Sequence, residues 1–284
     1  MIVNSDNRQR IGRALLLGAT VVALLGPAGA RAEDATELAK KVQNPIGSLI
    51  SLPFESNFNF ENGTDDDSLQ YVLNVQPVVP FSVSDGWNLI TRPIIPLISQ
   101  DGVAQVPPTN ELFKTGVRTL GLGVMTLSLF LSPKSEGKFT WGAGPVVVFP
   151  TATDGALGAD KWSAGPTAVG LYKTGPWLFG ALVGQFWSFA GSGDRDVSTF
   201  YVQPFLNYNL PQGWYLTSSP LMSANWKAKS GEEWRVPVGG GAGKVFRIGN
   251  QNVNTRLVAY YNVERPTGSA DWSIQWTLQF LFPR

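Results

Sequence analysis

The last stretch of the chain, Trp272-Ser-Ile-Gln-Trp-Thr-Leu-Gln-Phe-Leu-Phe282, puts a large apolar residue at every second position. Ser273, Gln275, Thr277 and Gln279 stand between them, and Leu281 alone breaks the alternation. A period of two means a β-strand with one apolar and one polar face. The pattern recurs from Phe54 onward. Phe54, Phe58 and Phe60 alternate with Glu55, Asn57 and Asn59; Leu69, Tyr71, Leu73, Val75 and Val79 alternate with Gln70, Asn74 and Gln76. Trp87, Leu89 and Ile95 alternate with Asn88 and Arg92. Phe200 to Leu210 and Val253 to Val263 repeat the pattern, and further runs start near Leu120, Phe139, Trp162, Trp177, Trp214 and Trp234. The total is about twelve, each near the roughly 9–11 residues that cross a bilayer at a tilt. An even count suits a bacterial outer-membrane barrel.

A soluble β-protein would also alternate, so two independent signals matter. The even-numbered connections are mostly tight, as in Ser84-Asp-Gly86, Lys173-Thr-Gly-Pro176, Pro211-Gln-Gly213 and Arg247-Ile-Gly-Asn250. The odd ones tend to be longer and more polar, as in Glu61 to Asp67, Ser99 to Gly116 and Thr151 to Lys161. Short periplasmic turns and long outer loops are what a transmembrane barrel with a periplasmic N-terminus requires. The tryptophans give the second signal. Trp87, Trp177 and Trp214 follow tight turns, whereas Trp162, Trp226, Trp234 and Trp272 flank long loops. Such placement is expected of interfacial aromatic girdles. The fold expected is therefore all-β, a transmembrane antiparallel barrel of about twelve strands.

The N-terminus reads as a secretory leader. Arg8, Arg10 and Arg13 precede an apolar run from Ala14 to Leu25, and Ala30-Arg-Ala32 forms a cleavage site. The expected organisation is a signal peptide over 1–32, a periplasmic or plugging segment over 33–50, and a barrel over 51–284. Within the middle segment, Asp34 with Glu37 three residues later resembles a capping box, and Leu38 and Val42 share one helical face. A short helix is expected from Asp34, stopping before Pro45. Pro77, Pro93, Pro145, Pro166, Pro204, Pro220 and Pro237 fall inside the expected strands, where a missing N–H normally costs a ladder bond.

Composition excludes several functions. The chain carries a net charge of +1, and removing the basic leader leaves it slightly acidic, which is no footprint for nucleic acid. It contains no cysteine and no histidine, so thiolate metal sites and the commonest general base are missing. No cofactor is expected. Val238-Gly-Gly-Gly-Ala-Gly-Lys-Val245 fails as a phosphate loop, because Val238 replaces the first glycine and Val245 replaces the Ser or Thr. Asp65, Asp66, Asp67, Asp194 and Asp196 lack calcium-loop spacing and read as solvated outer loops. Glu55, Glu61 and Glu264 fall in different strands or loops and offer no acid–base pair. An enzyme is not expected.

Four stretches carry a family resemblance: Ala39 to Phe60, Asn74 to Ile98, Trp141 to Trp177 and Phe200 to Ser219, with PTATD…KWSAGP the most specific. They resemble the phenol meta-pathway degradation family of outer-membrane proteins, whose members are often called simply transporters. The resemblance implies an outer-membrane barrel that passes small solutes, aromatic or hydrophobic compounds among them, and it supplies no catalytic residues. From the residues themselves, Asn74, Gln76, Arg92, Gln203, Asn207, Asn254 and Arg256 are expected to line the lumen. Arg92 and Arg256 would bias passage towards anionic or polarisable solutes. The expected partners are outer-membrane lipids, the barrel-assembly machinery through the aromatic C-terminal strand, and small solutes. The alternatives are a closed structural or surface-binding barrel and a soluble periplasmic β-protein.

Overall fold

The computed structural model describes residues 32–62, 68–100, 103–106, 111–114, 118–134, 137–192 and 196–282. Asp65 to Asp67, Asp194 and the leader up to residue 31 lie outside them. One helix, α1 (Ala32–Val42), precedes the strands. It stops before Pro45, as expected from the sequence. Glu37 binds Lys40 one turn on, at 2.8 Å.

Twelve strands follow, all antiparallel to their neighbours. They are β1 (Ile50–Asn62), β2 (Ser68–Val75, resumed at Val79–Ser82), β3 (Trp87–Gln100) and β4 (Thr119–Leu122, resumed at Met125–Pro133). Next come β5 (Phe139–Phe149), β6 (Trp162–Thr174), β7 (Trp177–Ala190) and β8 (Ser198–Asn209). The last are β9 (Trp214–Ser218, resumed at Met222–Asn225), β10 (Trp234–Ile248), β11 (Gln251–Glu264) and β12 (Trp272–Phe282). Each strand pairs with the next, and β12 pairs with β1 from Ile50↔Phe282 to Phe60↔Trp272. That last ladder closes the cylinder and removes both sheet edges. A separate hairpin (Val103–Val106 with Glu111–Lys114) forms within the β3–β4 connection.

The connections alternate as expected. Those after β2, β4, β6, β8 and β10 take two to five residues, while those after β3 and β5 take eighteen and twelve. Gly175 and Gly249 open the two tightest turns with φ of +54° and +57°, a conformation that glycine adopts without steric cost.

The final strand shows what its apolar face meets. Gln275, Thr277 and Gln279 line interior cavities, so Trp272, Ile274, Trp276, Leu278, Phe280 and Phe282 point outward. Leu206, Leu216, Val238, Leu257 and Val263 are likewise large apolar side chains left exposed, each at least 48% open. They form a belt between two aromatic rims. Trp87 meets Trp141, and Trp177 meets Tyr208, at the short-turn end. Phe149 meets Trp162, Trp226 meets Trp234, and Phe60 stacks on Trp272 with centroids 4.1 Å apart, at the long-loop end. An apolar outer surface, a polar interior and no unpaired edge make this a transmembrane barrel of the outer-membrane kind. A soluble β-protein is excluded by the same belt.

The prolines sit where the ladder is open. β4 and β5 pair at Ser128↔Val146 and again at Leu131↔Ala143, skipping Pro145. β6 and β7 skip Gly165 and Pro166. Pro145 and Pro166 face each other across β5 and β6, so each missing N–H falls on the outer, unpaired side. Pro77 occupies the break in β2, and Pro93 lies opposite that break on β3. Pro220 occupies the break in β9, with Pro204 and Pro237 beside it on β8 and β10, where β9 makes no ladder. A residue with no donor costs no ladder bond in such places.

Aromatic side chains lean over glycines on adjacent strands inside the barrel. A Cβ at Gly184 would lie 2.3 Å from the Tyr201 hydroxyl, and one at Gly243 would lie 2.3 Å from the Tyr215 ring. Two glycines thus make room for two tyrosines that brace the interior wall.

Candidate functional site: the lumen

Period two turns Glu55 (β1), Gln76 (at the break in β2), Arg92 (β3), Gln203 (β8), Ser219 (at the break in β9) and Arg256 (β11) towards the axis. They meet at one level of the barrel. Arg256 Nη2 binds Glu55 Oε2 at 3.1 Å and also donates to Gln275 Oε1 at 2.9 Å, while Nη1 donates to Ser219 Oγ at 3.1 Å. Gln76 Nε2 donates to the other Glu55 oxygen at 3.3 Å, and Arg92 Nη2 donates to Gln76 Oε1 at 3.1 Å. Glu55 therefore has both oxygens engaged. Arg256 is held by a carboxylate, and among the described residues Arg92 is held by an amide alone.

This level separates two cavities. The upper one, about 410 Å³, opens towards the long loops and is lined by Asn57, Asn59, Gln70, Asn74, Tyr201 and Arg235, among others. The lower one, about 160 Å³, contains Asn207, Asn254, Arg256 and Gln279. Glu55, Gln76, Arg92, Leu182, Gln203 and Ser219 border both. All seven residues named from the sequence as lumen-lining thus border one cavity or both, and they divide by depth. Asn74 belongs to the upper cavity; Asn207, Asn254 and Arg256 belong to the lower.

The floor of the lower cavity is the N-terminal segment, Lys41 to Pro45 with Leu49. Ala39 and Leu49 are buried against Tyr215, Val245 and Leu281, with Leu38 and Val42 packed alongside. Ile46, 3% exposed, is buried with Ile90, Phe130, Leu171, Leu178 and Phe205. Gln43 and Asn209 exchange two side-chain hydrogen bonds, at 2.9 and 3.2 Å. The Gly213 amide donates to Thr36 Oγ1 at 3.4 Å. Leu281, which breaks the alternation of the last strand, is therefore an inward residue made apolar because α1 covers it.

Several sequence readings resolve here. Val238 to Val245 lies within β10, and a Cβ at Gly241 would come 2.0 Å from the Leu257 carbonyl oxygen. Close strand approach, not phosphate, explains those glycines. Glu55 and Glu61 prove to share β1, contrary to their expected separation, yet Glu55 is deep in the lumen and Glu61 is near the rim. Asp196 lies 3.9 Å from Lys161, and among the described residues no cluster of three metal-ligating side chains occurs. Of the six aromatics named as interfacial, Trp87, Trp162, Trp177 and Trp214 are exposed, and Trp234 and Trp272 are partly covered by ring neighbours. The sequence reading missed Arg235. It points inward from β10 with Pro237, on the face opposite Trp234, Val236 and Val238.

Among the described residues bordering the two cavities, Lys41, Arg92, Arg235 and Arg256 face one carboxylate, Glu55. The lumen is electropositive.

No protein-family model and no curated protein matches this sequence. Among solved structures the chain is similar to an outer membrane channel from Pseudomonas putida F1, at 16% identity with a TM-score of 0.62. The match covers 84% of this chain and 97% of that one. The NanC porin also aligns over 82% of this chain and 100% of its own, at 8% identity and a TM-score of 0.49. The first match shows that the two chains share a barrel fold.

Proposed function

We propose that the protein is a passive outer-membrane channel for small solutes, biased towards anions, whose periplasmic mouth is occupied by its own N-terminal segment. The observation that carries this is the polar, electropositive lumen, divided at one level by the Glu55–Arg256 and Gln76–Arg92 contacts. A barrel serving only as a scaffold could fill its interior with apolar side chains. This one keeps some 410 Å³ open beneath its outer loops. Arg92 and Arg235 set the anion bias, because neither forms an ion pair among the described residues, whereas Arg256 is neutralised by Glu55. The resemblance to the phenol meta-pathway family and the likeness to the Pseudomonas outer membrane channel agree with transport. No catalysis is assigned, since Glu55 is committed to two partners.

The segment from α1 to Leu49 acts as the plug. Passage requires its displacement, or at least withdrawal of Ile46. The test is single-channel conductance of refolded protein in planar bilayers, with the folded state confirmed by the gel shift on boiling. Discrete steps with an anion-side reversal potential in a salt gradient are expected, larger when residues 33–46 are removed. Silence from both folded proteins would favour the closed, surface-binding barrel instead.

A further inference from the structure

The geometry points to the upper cavity as a binding site for a small amphipathic monocarboxylate, its carboxylate at Arg92 and its apolar body against Phe186 and Tyr201. This rests on the channel reading for its biological sense and on the cavity alone for its chemistry. Two observations combine. The first is the charge at the base of the cavity. A guanidinium offers five N–H donors, and Arg92 uses one on Gln76, a neutral amide. Glu55, the one carboxylate among the described residues that border the cavities, has its two oxygens taken by Gln76 and Arg256. Arg92 is thus a fixed cation with donors to spare, at the level that separates the two cavities, where a solute entering from the loops would stop. Guanidinium donors match a carboxylate in a two-pronged geometry.

The second observation is that the walls differ. β12, β1 and β2 present amides, including a chain in which Asn59 donates to Gln70 at 3.0 Å and Gln70 to Gln100 at 2.7 Å. Across the barrel, β5 and β7 present Val146, Leu182 and Phe186 to the same cavity. Tyr201 on β8 joins them: its ring centroid lies 6.1 Å from that of Phe186, and its hydroxyl donates to Thr167 at 2.9 Å, within the wall. What remains for a solute is the ring, not the hydroxyl. A wholly polar solute would leave this wall without a partner, and a wholly apolar one would leave Arg92 and the amides stripped of water. A solute with one charged end and an apolar body satisfies both, and about 410 Å³ falls in the range of small-molecule sites.

The test is equilibrium dialysis of labelled hexanoate and benzoate against the folded, detergent-solubilised full chain, with boiled protein in the same micelles as the blank. Acetate supplies the charge without the body, and hexanol the body without the charge. Saturable binding of hexanoate or benzoate is expected, with acetate and hexanol at least tenfold weaker. Arg92→Gln should weaken hexanoate binding at least tenfold, Arg92→Lys less than Arg92→Gln, and Phe186→Ser should weaken hexanoate without changing acetate. Hexanol binding as well as hexanoate, an unaltered Arg92→Gln, or no saturable binding to protein that shifts on boiling would each overturn the site. Dialysis needs no open pore. Binding with a silent bilayer would defeat the channel and keep the site, and conductance without binding would do the reverse.

Discussion

Glu55 on β1 and Arg256 on β11 are joined by a 3.1 Å ion pair that reaches across β12, the strand lying between theirs. Both side chains are mostly covered, at 16% and 20% exposure. The pair does two things: it braces the seam where the barrel closes, and it removes one of the lumen's positive charges. Glu55→Gln should therefore raise anion selectivity, and Arg92→Gln should lower it more than Arg256→Gln does. A unit charge about 8 Å from a passing ion in water is worth ~0.5 kcal/mol, or roughly a twofold change in permeability ratio. Reversal potentials in a potassium chloride gradient give the ordering.

The N-terminal segment should be displaced by a charge at its most deeply seated residue. Ile46 sits among Ile90, Phe130, Leu171 and Phe205, and an ionised carboxylate there would be buried without a partner, at a cost of several kcal/mol. Ile46→Asp should increase conductance and expose residues 33–46 to protease, while the gel shift on boiling remains. Conversely, Gln43→Cys with Asn209→Cys would join two side chains now in hydrogen-bond contact. With no native cysteine to compete, oxidation should hold conductance low and reduction should restore it.

The outer loops carry a pH-dependent latch. Glu232, before β10, accepts hydrogen bonds from the Thr267 backbone N–H and from its hydroxyl, the latter at 2.7 Å. Those bonds hold its carboxyl below the ordinary value of 4.5. A lowered carboxyl pKa means the latch is fully present above the ordinary value and is lost as pH falls through the depressed one. Hydrogen exchange at the Thr267 amide should be insensitive to the latch from neutral pH down to about 4.5 and then lose protection. Glu232→Gln should weaken protection at neutral pH already.

Gly243→Val should lower the temperature at which the gel shift is lost. Its new side chain would meet the Tyr215 ring, whose hydroxyl donates to Asn254 at 2.7 Å. Overpacking of this kind costs about 1–3 kcal/mol, and moving the ring breaks a buried hydrogen bond as well.

Much of this was legible from alternation, because a strand with lipid on one side and water on the other writes its two faces at every second residue. Strand starts at Phe139, Trp162, Trp177, Trp214 and Trp234 fall where the sequence placed them. What alternation could not show was the seat of the N-terminal segment. Its partners Leu281, Val245 and Tyr215 are inward residues that became apolar, and without the helix they read as faults in the pattern. Arg235 was legible, because Trp234, Val236 and Val238 alternate with it; the face of β10 goes undeclared only beyond, where four glycines stand from Gly239 to Gly243.

The prolines bear on how such a wall finds its pairing. Sliding one strand past its neighbour by two residues keeps every apolar side chain facing lipid and every polar one facing the lumen. Burial therefore cannot tell the correct alignment from that error. A proline can. Pro145 and Pro166 fit only where the neighbouring ladder is already interrupted, and a slip of two would carry them to where a donor is required. They act as stops against the mismatches that hydrophobicity would let through, and they do so from within the middle of the sheet.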